Sequence, residues 1–139
     1  MDAKSLNIML VEDDEVDVMN IQRAFRKNNI NNPLLIGRNG LEALEILRSP
    51  NTEKPRIIIL DINMPKMNGI EFLQELRKDE KLKDISVFVM TTSNQDSDKI
   101  EAYNLNVAGY ILKPLSFDKF VSSVSTLNSY WQLCQHPEE

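Results

Sequence analysis

Apolar runs alternate with amphipathic segments five times along the chain. The apolar runs predict strands over 6–11, 34–37, 57–61, 85–91 and 108–112. Two of them, "RIIIL" and "VFVM", are continuously apolar, as strands covered on both faces are. The amphipathic segments predict helices over 15–28, 40–48, 69–78, 96–105 and 117–133. This alternation is typical of βα units wound into a mostly parallel sheet, and it predicts an α/β fold.

Helical spacing predicts which side chains of three helices face the core. In the first helix these are Val18, Ile21 and Phe25, and in the second they are Leu41, Leu44 and Leu47. In the last helix the predicted stripe consists of Phe120, Val124, Leu127 and Trp131.

Four carboxylates follow the first predicted strand in the stretch "LNIMLVEDDE". Two like charges about 4 Å apart repel by roughly 4 kcal/mol at the effective dielectric of a protein surface. Asp14 and Glu15 lie where the first helix begins, and we expect them to cap it. Glu12 and Asp13 require a nearby cation to offset their repulsion.

The carboxyl ends of the strands carry the other polar groups of interest. In a doubly wound parallel sheet, ligands bind outside these ends. The first strand ends at Glu12 and Asp13, the third at Asp61, the fourth at Thr91 and the fifth at Lys113. Three carboxylates, a hydroxyl and an ammonium are therefore expected on one face. Such an oxygen-rich set suits Mg²⁺ with retained waters, which would supply the missing cation.

Composition limits the classes of function. The 139 residues, 42% apolar and 27% charged, fit one domain (1–139) with a core over about 5–133, a tail at 134–139 and no output domain. The net charge of −5 and the scattered Lys and Arg argue against nucleic-acid binding. A single cysteine, Cys134, excludes an intramolecular disulfide, and no secretory or membrane-spanning stretch is apparent. We therefore expect a cytoplasmic protein without a membrane segment.

The stretch "LDINMPKMNG" at 60–69 resembles the phosphoacceptor signature of the response-regulator receiver domain, of the CheY-like superfamily. Three further motifs agree in order and spacing, namely "VEDD" at 11–14, "VMTTS" at 89–93 and "GYILKP" at 109–114. The resemblance spans nearly the whole chain. It implies a flavodoxin-like (βα)5 fold with five parallel strands in the order 2-1-3-4-5.

The resemblance also implies roles for the residues at the strand ends. Asp61 would accept a phosphoryl group from a histidine kinase, and Thr91 and Lys113 would contact the phosphoryl oxygens. Mg²⁺, with Mn²⁺ or Ca²⁺ as substitutes, would be bound by the carboxylates of Glu12, Asp13 and Asp61 and the main-chain carbonyl of Asn63. The domain would catalyse only its own phosphorylation and dephosphorylation, and it would not be an enzyme in the usual sense. A cis peptide is expected between Lys113 and Pro114.

Readout would occur on the surface. Thr91 and Tyr110 would form the switch, and the signal would pass to a downstream protein or a phosphotransfer domain. The segments "YWQL" and "DEVDVMNIQRAF" resemble the corresponding parts of stand-alone receivers that serve cyanobacterial phytochrome kinases. A homodimer through the fourth helix, fifth strand and fifth helix is expected. Its apolar anchors would be Phe117, Val121, Tyr130 and Leu133, and its charged rim would be Asp98, Lys99 and Glu101.

Rival interpretations remain open at this point. A haloacid-dehalogenase-like phosphatase needs a second acid two residues after its nucleophile, and that position is Asn63. A flavodoxin-like cofactor carrier needs free N–H groups after the first strand, whereas "EDDE" repels a bare phosphate. A phosphorelay intermediate and a phosphorylation-independent interaction module share the predicted fold. Interaction modules usually lose an acid or the Lys, and this chain keeps both.

Overall fold

The predicted strands and helices are present, close to their predicted boundaries, in a computed structural model that describes residues 7–30, 34–113 and 116–134. The strands are β1 (Ile8–Val11), β2 (Leu35–Gly37), β3 (Ile57–Leu60), β4 (Ser86–Thr91) and β5 (Gly109–Leu112). The helices are α1 (Glu15–Lys27), α2 (Gly40–Arg48), α3 (Gly69–Lys78), α4 (Asp96–Asn104) and α5 (Phe117–Leu133). Among the described helices, none combines the length and apolar character that crossing a membrane requires.

All five strands form one parallel sheet in the order β2-β1-β3-β4-β5, which confirms the predicted fold. The strand order reverses at β1. β2 lies on one side of β1, and β3, β4 and β5 follow on the other side. Ligands of such sheets bind beyond the strand ends near this reversal. The end of β1 and the end of β3 are therefore neighbours at the position where a site is expected.

The core has two layers, one on each face of the sheet. Successive strand residues point to opposite faces, so Met9 and Val11 belong to the layer under α2 and α3, whereas Ile8 and Leu10 belong to the layer under α1 and α5. The central strands β1 and β3 are buried along their whole length. Their continuous apolar sequence is explained by this cover on both faces.

The predicted core stripes are confirmed with one exception. Val18, Ile21 and Phe25 of α1 are buried, and on α5 Leu127 is half-buried beside its fully buried stripe partners. The prediction for Leu41 is wrong, since 45% of this residue is exposed. Residues spaced by three drift around a helix by about 60° per step, so Leu41 lies about 120° from Leu47 and off the buried face.

Side-chain caps define the starts of α1 and α3. The Asp14 carboxylate accepts hydrogen bonds from the backbone N–H of Val16 at 2.9 Å and of Asp17 at 3.2 Å, which confirms Asp14 as the cap of α1. Glu15 is the first residue of α1 and adds negative charge to its first turn. Asn68 and Glu71 form a reciprocal capping box at α3. These caps fix where α1 and α3 leave the edge of the sheet that carries the polar groups.

Candidate functional site

Three carboxylates meet beyond the ends of β1 and β3. One oxygen each of Glu12, Asp13 and Asp61 lies within 4.8 Å of the other two. Glu12 is 2% exposed and Asp61 6% exposed, whereas Asp13 faces solvent. Three hard oxygen ligands at this separation, one of them open to water, fit a divalent cation that keeps part of its hydration shell. The predicted convergence of these three residues is confirmed.

Lys113 places its ammonium among the acids. Its Nζ donates hydrogen bonds to Glu12 Oε1 at 2.6 Å and to Asp17 Oδ2 at 2.6 Å, and it lies 3.9 Å from Asp61 Oδ2. The side chain of Lys113 is only 6% exposed. The lysine therefore offsets the repulsion between carboxylates that the first strand end creates.

Asp17 is the residue of this site that sequence reasoning missed. It lies in the first turn of α1, four residues after Asp13, which itself precedes the helix. That spacing was the available signal, but it is equally typical of an acid that only complements the helix dipole. The ion pair with Lys113 depends on how α1 packs beside the end of β5, which the sequence pattern does not specify.

The burial of these groups changes their ionisation. Burial raises the pKa of the Glu12 carboxyl from 4.5 to about 7, although the hydrogen bond from Lys113 opposes the rise; the negative charge of Asp61 adds to it. Burial by itself would lower the pKa of Lys113, but its hydrogen bonds to Asp17 and Glu12 outweigh that effect, and the pKa is raised. The site therefore contains an ammonium that stays charged and an acid that a second cation would help to ionise.

Thr91 and Asn63 border the carboxylates. Thr91 ends β4, is fully buried, and its hydroxyl oxygen accepts a hydrogen bond from the backbone N–H of Ser93 at 3.3 Å. The backbone N–H of Asn63 donates to Asp61 Oδ1 at 3.3 Å, and its side-chain amide donates to Thr92 Oγ1 at 3.5 Å. The exits of β3 and β4 are thus joined across the mouth of the site.

The loop after Asp61 returns to pack against the backbone of this residue. Gly69 donates its N–H to the carbonyl of Ile62 at 2.9 Å. A Cβ added at Gly69 would overlap the Asp61 carbonyl and lie 2.8 Å from Ile62 Cα. Only glycine allows α3 to begin this close to Asp61, so the glycine of "LDINMPKMNG" lets α3 pack against the backbone that carries the carboxylate.

The predicted switch residues are linked to α4. Tyr110 is half-buried and its hydroxyl donates to the carbonyl of Ser93 at 3.0 Å. The Ser93 hydroxyl in turn donates to Asp98 Oδ2 at 2.5 Å. The end of β4, the first turn of α4 and the middle of β5 therefore share one chain of hydrogen bonds next to Thr91.

The predicted dimer surface is divided in the structure. Phe117 and Val121 are half-buried and pack toward α1, where the guanidinium of Arg23 lies 4.4 Å from the Phe117 ring centroid. Tyr130 is 56% exposed and Leu133 81% exposed. The rim residues Asp98 and Lys99 are half-buried, and Glu101 is exposed. The expected cis bond involves Pro114, which lies outside the described residues.

Comparisons with known proteins agree with this geometry. Residues 8–125 match the family model described as the response regulator receiver domain. The chain is 37% identical to the probable methanogenesis regulatory protein FilR2 of Methanothrix harundinacea, over 89% of this chain and 82% of that protein. It is 35% identical to response regulator Rcp1 of Synechocystis, over 89% of this chain and 87% of that protein.

Two solved structures are similar over nearly their full length. The phosphorylated cyanobacterial phytochrome response regulator RcpA superposes with a TM-score of 0.87 at 32% identity, covering 97% of this chain and 100% of RcpA. The Mn²⁺-bound form of Rcp1 superposes with a TM-score of 0.81 at 34% identity, covering 93% of this chain and 96% of Rcp1. With its four motifs in place on one edge of the sheet, the chain belongs to the response-regulator receiver domain family of two-component signalling.

Proposed function

We propose that this domain accepts a phosphoryl group from a histidine kinase onto Asp61 with the help of Mg²⁺, and that it signals through altered contacts with other proteins. The observation that carries the proposal is that Glu12 and Asp13 lie beside the buried Asp61 carboxylate. The Lys113 ammonium lies 3.9 Å from an oxygen of Asp61. This arrangement supplies a nucleophile, ligands for a divalent ion and a cation for the transferred group.

The chemistry is a displacement at phosphorus. An Asp61 carboxylate oxygen forms a bond to phosphorus while the bond from phosphorus to the donor atom breaks, and the donor leaves with that electron pair. Lys113 and the Thr91 hydroxyl donate hydrogen bonds to the phosphoryl oxygens. Glu12, Asp13 and Asp61, with the Asn63 carbonyl, would hold a divalent ion, which would neutralise part of the charge on the transferred group. Catalysis is limited to the domain's own phosphorylation and dephosphorylation.

Mg²⁺ is the proposed metal. Mg²⁺ prefers carboxylate oxygens together with retained waters, and the exposed Asp13 leaves one side of the cluster open to water. The Mn²⁺-bound form of the similar Rcp1 supports a divalent ion at this position. Mn²⁺ and Ca²⁺, which bind the same oxygen atoms, are expected to substitute.

Phosphorylation by acetyl phosphate tests the proposal. In the presence of Mg²⁺ the wild type is expected to gain one acyl phosphate, which alkali and hydroxylamine cleave, and Asp61→Asn is expected to gain none because an amide is not a nucleophile. Asp14→Asn is the matched control, since the same change beside the site preserves a residue type that caps helices well. An Asp61→Asn variant that still accepts phosphate would contradict the assignment.

The kinase and the target are further parts of the proposal. The likeness to RcpA, a phytochrome response regulator, supports a phytochrome-type histidine kinase as the donor, and the single cysteine supports a cytoplasmic location. A phosphotransfer profile against the histidine kinases of the same genome would identify the donor. If Asp61→Asn bound the downstream protein as tightly as the phosphorylated wild type, a phosphorylation-independent interaction module would replace this proposal.

We also propose a homodimer through α4, β5 and α5. Its support is the exposed apolar surface of these helices, to which Ile100, Tyr103, Tyr130 and Leu133 contribute, with a charged rim of Asp98, Lys99 and Glu101. A stable interface buries on the order of 1,000 Å² or more around such anchors. Tyr130→Asp is a cleaner test than a change at Val121, because Val121 also packs toward α1. A wild type that sediments as a monomer with and without beryllofluoride would contradict the dimer.

A further inference from the structure

Asp17 is an acid of the first helical turn that contacts a residue far away in the chain. It is the third residue of α1, and an acid there commonly reaches back to the N–H of the capping residue. In this domain the N–H of Asp14 donates to Glu12 Oε2 at 3.2 Å instead. The Asp17 carboxylate accepts a hydrogen bond from Lys113, 96 residues away. Glu12 thus accepts the N–H of the capping residue in place of Asp17, and the Asp17 carboxylate pairs with Lys113.

The short hydrogen bonds of Lys113 to Glu12 and Asp17 hold its ammonium group in place. An ammonium has three donors, and two of them bind Glu12 and Asp17 at 2.6 Å. The distance of 3.9 Å from Nζ to Asp61 Oδ2 is too long for a hydrogen bond. The lysine is therefore close enough to assist a group on Asp61, and it forms an ion pair but no hydrogen bond with the carboxylate that must attack.

Asp17 differs from Glu12 in what else it does. Glu12 belongs to the group of three carboxylates that fits a metal ion, whereas Asp17 is not one of these three. A cation bound to the group would share the Glu12 oxygens, and Asp17 would remain as the dedicated partner of Lys113.

Resting on the proposed function, we propose that Asp17 is a positioning residue that keeps the Lys113 ammonium away from the Asp61 carboxylate until the phosphoryl group arrives. A lysine in direct contact with Asp61 would stabilise the lone pair needed for attack and would occupy the space of the incoming phosphorus. With Asp17 as anchor, the attacking oxygen stays free and the third donor of Lys113 remains available for a phosphoryl oxygen.

The test compares Asp17→Asn with Glu15→Gln. Both changes remove one negative charge from the first turn of α1, so their effects on the helix dipole are matched. Glu15 pairs with Arg38, and its side chain is 65% exposed, away from the lysine. The difference between the two variants therefore reports the contact with Lys113.

Two measurements distinguish the variants. The initial rate of phosphorylation by acetyl phosphate at saturating Mg²⁺ is expected to fall about tenfold in Asp17→Asn and to stay within about twofold of wild type in Glu15→Gln. Crystal structures of the metal-free proteins are expected to show the separation of Lys113 Nζ from Asp61 Oδ2 shortening from 3.9 Å to about 2.8 Å in Asp17→Asn only. Loss of rate at saturating metal, with unchanged thermal stability, separates positioning from a general structural effect.

Contrary results are equally defined. A rate in Asp17→Asn that equals or exceeds that of Glu15→Gln would overturn the inference, as would an Nζ–Oδ2 separation that does not shorten. If the wild type accepted no phosphoryl group, the proposed function would fail on its own. A wild type that is phosphorylated normally beside an unaffected Asp17→Asn would overturn only the role of Asp17.

Discussion

Glu12 is a carboxylic acid whose surroundings oppose its ionisation. Its pKa in the folded domain is about 7, against 4.5 for an unperturbed group. Between these values the folded state binds the proton more tightly than the unfolded chain does. The stability contributed by protonated Glu12 is therefore fully present below about pH 4.5 and is lost as the pH rises through about 7.

A first prediction follows for the metal-free domain. Its free energy of unfolding should fall on the order of 1–3 kcal/mol between pH 5 and pH 7.5, and Glu12→Gln should remove most of this slope because its amide does not titrate. Urea denaturation at several pH values in the presence of a chelator measures the effect. Glu80→Gln, whose side chain is 85% exposed, is the control. Equal slopes in both variants would show that Glu12 does not carry the dependence.

Neighbouring aspartates should separate metal binding from helix capping. Asp13→Ala is expected to weaken Mg²⁺ or Mn²⁺ binding at least about tenfold, because it removes one of three clustered carboxylates. Asp14→Ala should leave metal affinity unchanged and lower the unfolding free energy by about 1 kcal/mol, because it removes the cap of α1. Calorimetric titration and denaturation measure the two quantities, and an equal loss of affinity in both variants would refute the assignment.

At the scale of elements, Arg77 of α3 connects two loops at the edge of the sheet opposite the site. Its guanidinium donates to the carbonyls of Leu105 at 2.7 Å and Asn106 at 3.1 Å, after α4, and to those of Lys83 and Ile85, both at 2.8 Å, before β4. The C-terminal end of α4 is thereby fastened to α3.

The other end of α4 has weaker support. Its capping residue, Gln95, makes no side-chain capping hydrogen bond, and Ala102 is its buried residue. The first turn of α4 is joined to the site through the hydrogen bond between Ser93 and Asp98. An element fastened at one end and joined to the site at the other is suited to pivot when the site changes.

Replacing Arg77 should therefore be costly. Arg77→Met is expected to lower the unfolding free energy by about 2–4 kcal/mol, because partly buried carbonyls lose a charged donor. Arg48→Met, which breaks an ion pair with Asp79 from a side chain that is 48% exposed, should cost about 0–1 kcal/mol. Denaturant titration of both variants provides the comparison, and similar losses would contradict the structural importance of Arg77.

The close approach of α3 to Asp61 gives a prediction about Gly69. Gly69→Ala is expected to lower stability by about 1–3 kcal/mol and to slow phosphorylation, because the added Cβ would push against the backbone of Asp61 and Ile62. Gly109→Ala is a milder counterpart, since its Cβ would meet the Phe88 ring at 3.3 Å. If the two variants were phosphorylated at the same rate, the backbone of Asp61 would not depend on Gly69.

For the whole molecule, the fold and the meeting of three carboxylates could be predicted, because a parallel sheet places the carboxyl ends of its strands along one edge. Each strand end lies at one edge, so Glu12, Asp13 and Asp61 had to meet there. The pairing of Asp17 with Lys113 depends instead on how α1 is rotated against the sheet. The orientation of Phe117 toward α1 depends on a packing partner about ninety residues earlier in the chain. The hydrophobic periodicity of a single segment predicts neither the rotation of α1 nor the packing partner of Phe117.

The contacts of Lys113 also bear on how the domain is made. Glu12 and Asp17 precede Lys113 by 101 and 96 residues, so both acids are synthesised long before the lysine that pairs with them. Until β5 joins the sheet, and with no metal ion bound, the ends of β1 and β3 associate against the mutual repulsion of Glu12, Asp13 and Asp61. In the metal-free domain β5 thus supplies the cation of the site, so the Asp61 carboxylate gains its ammonium neighbour only once β5 has joined the sheet.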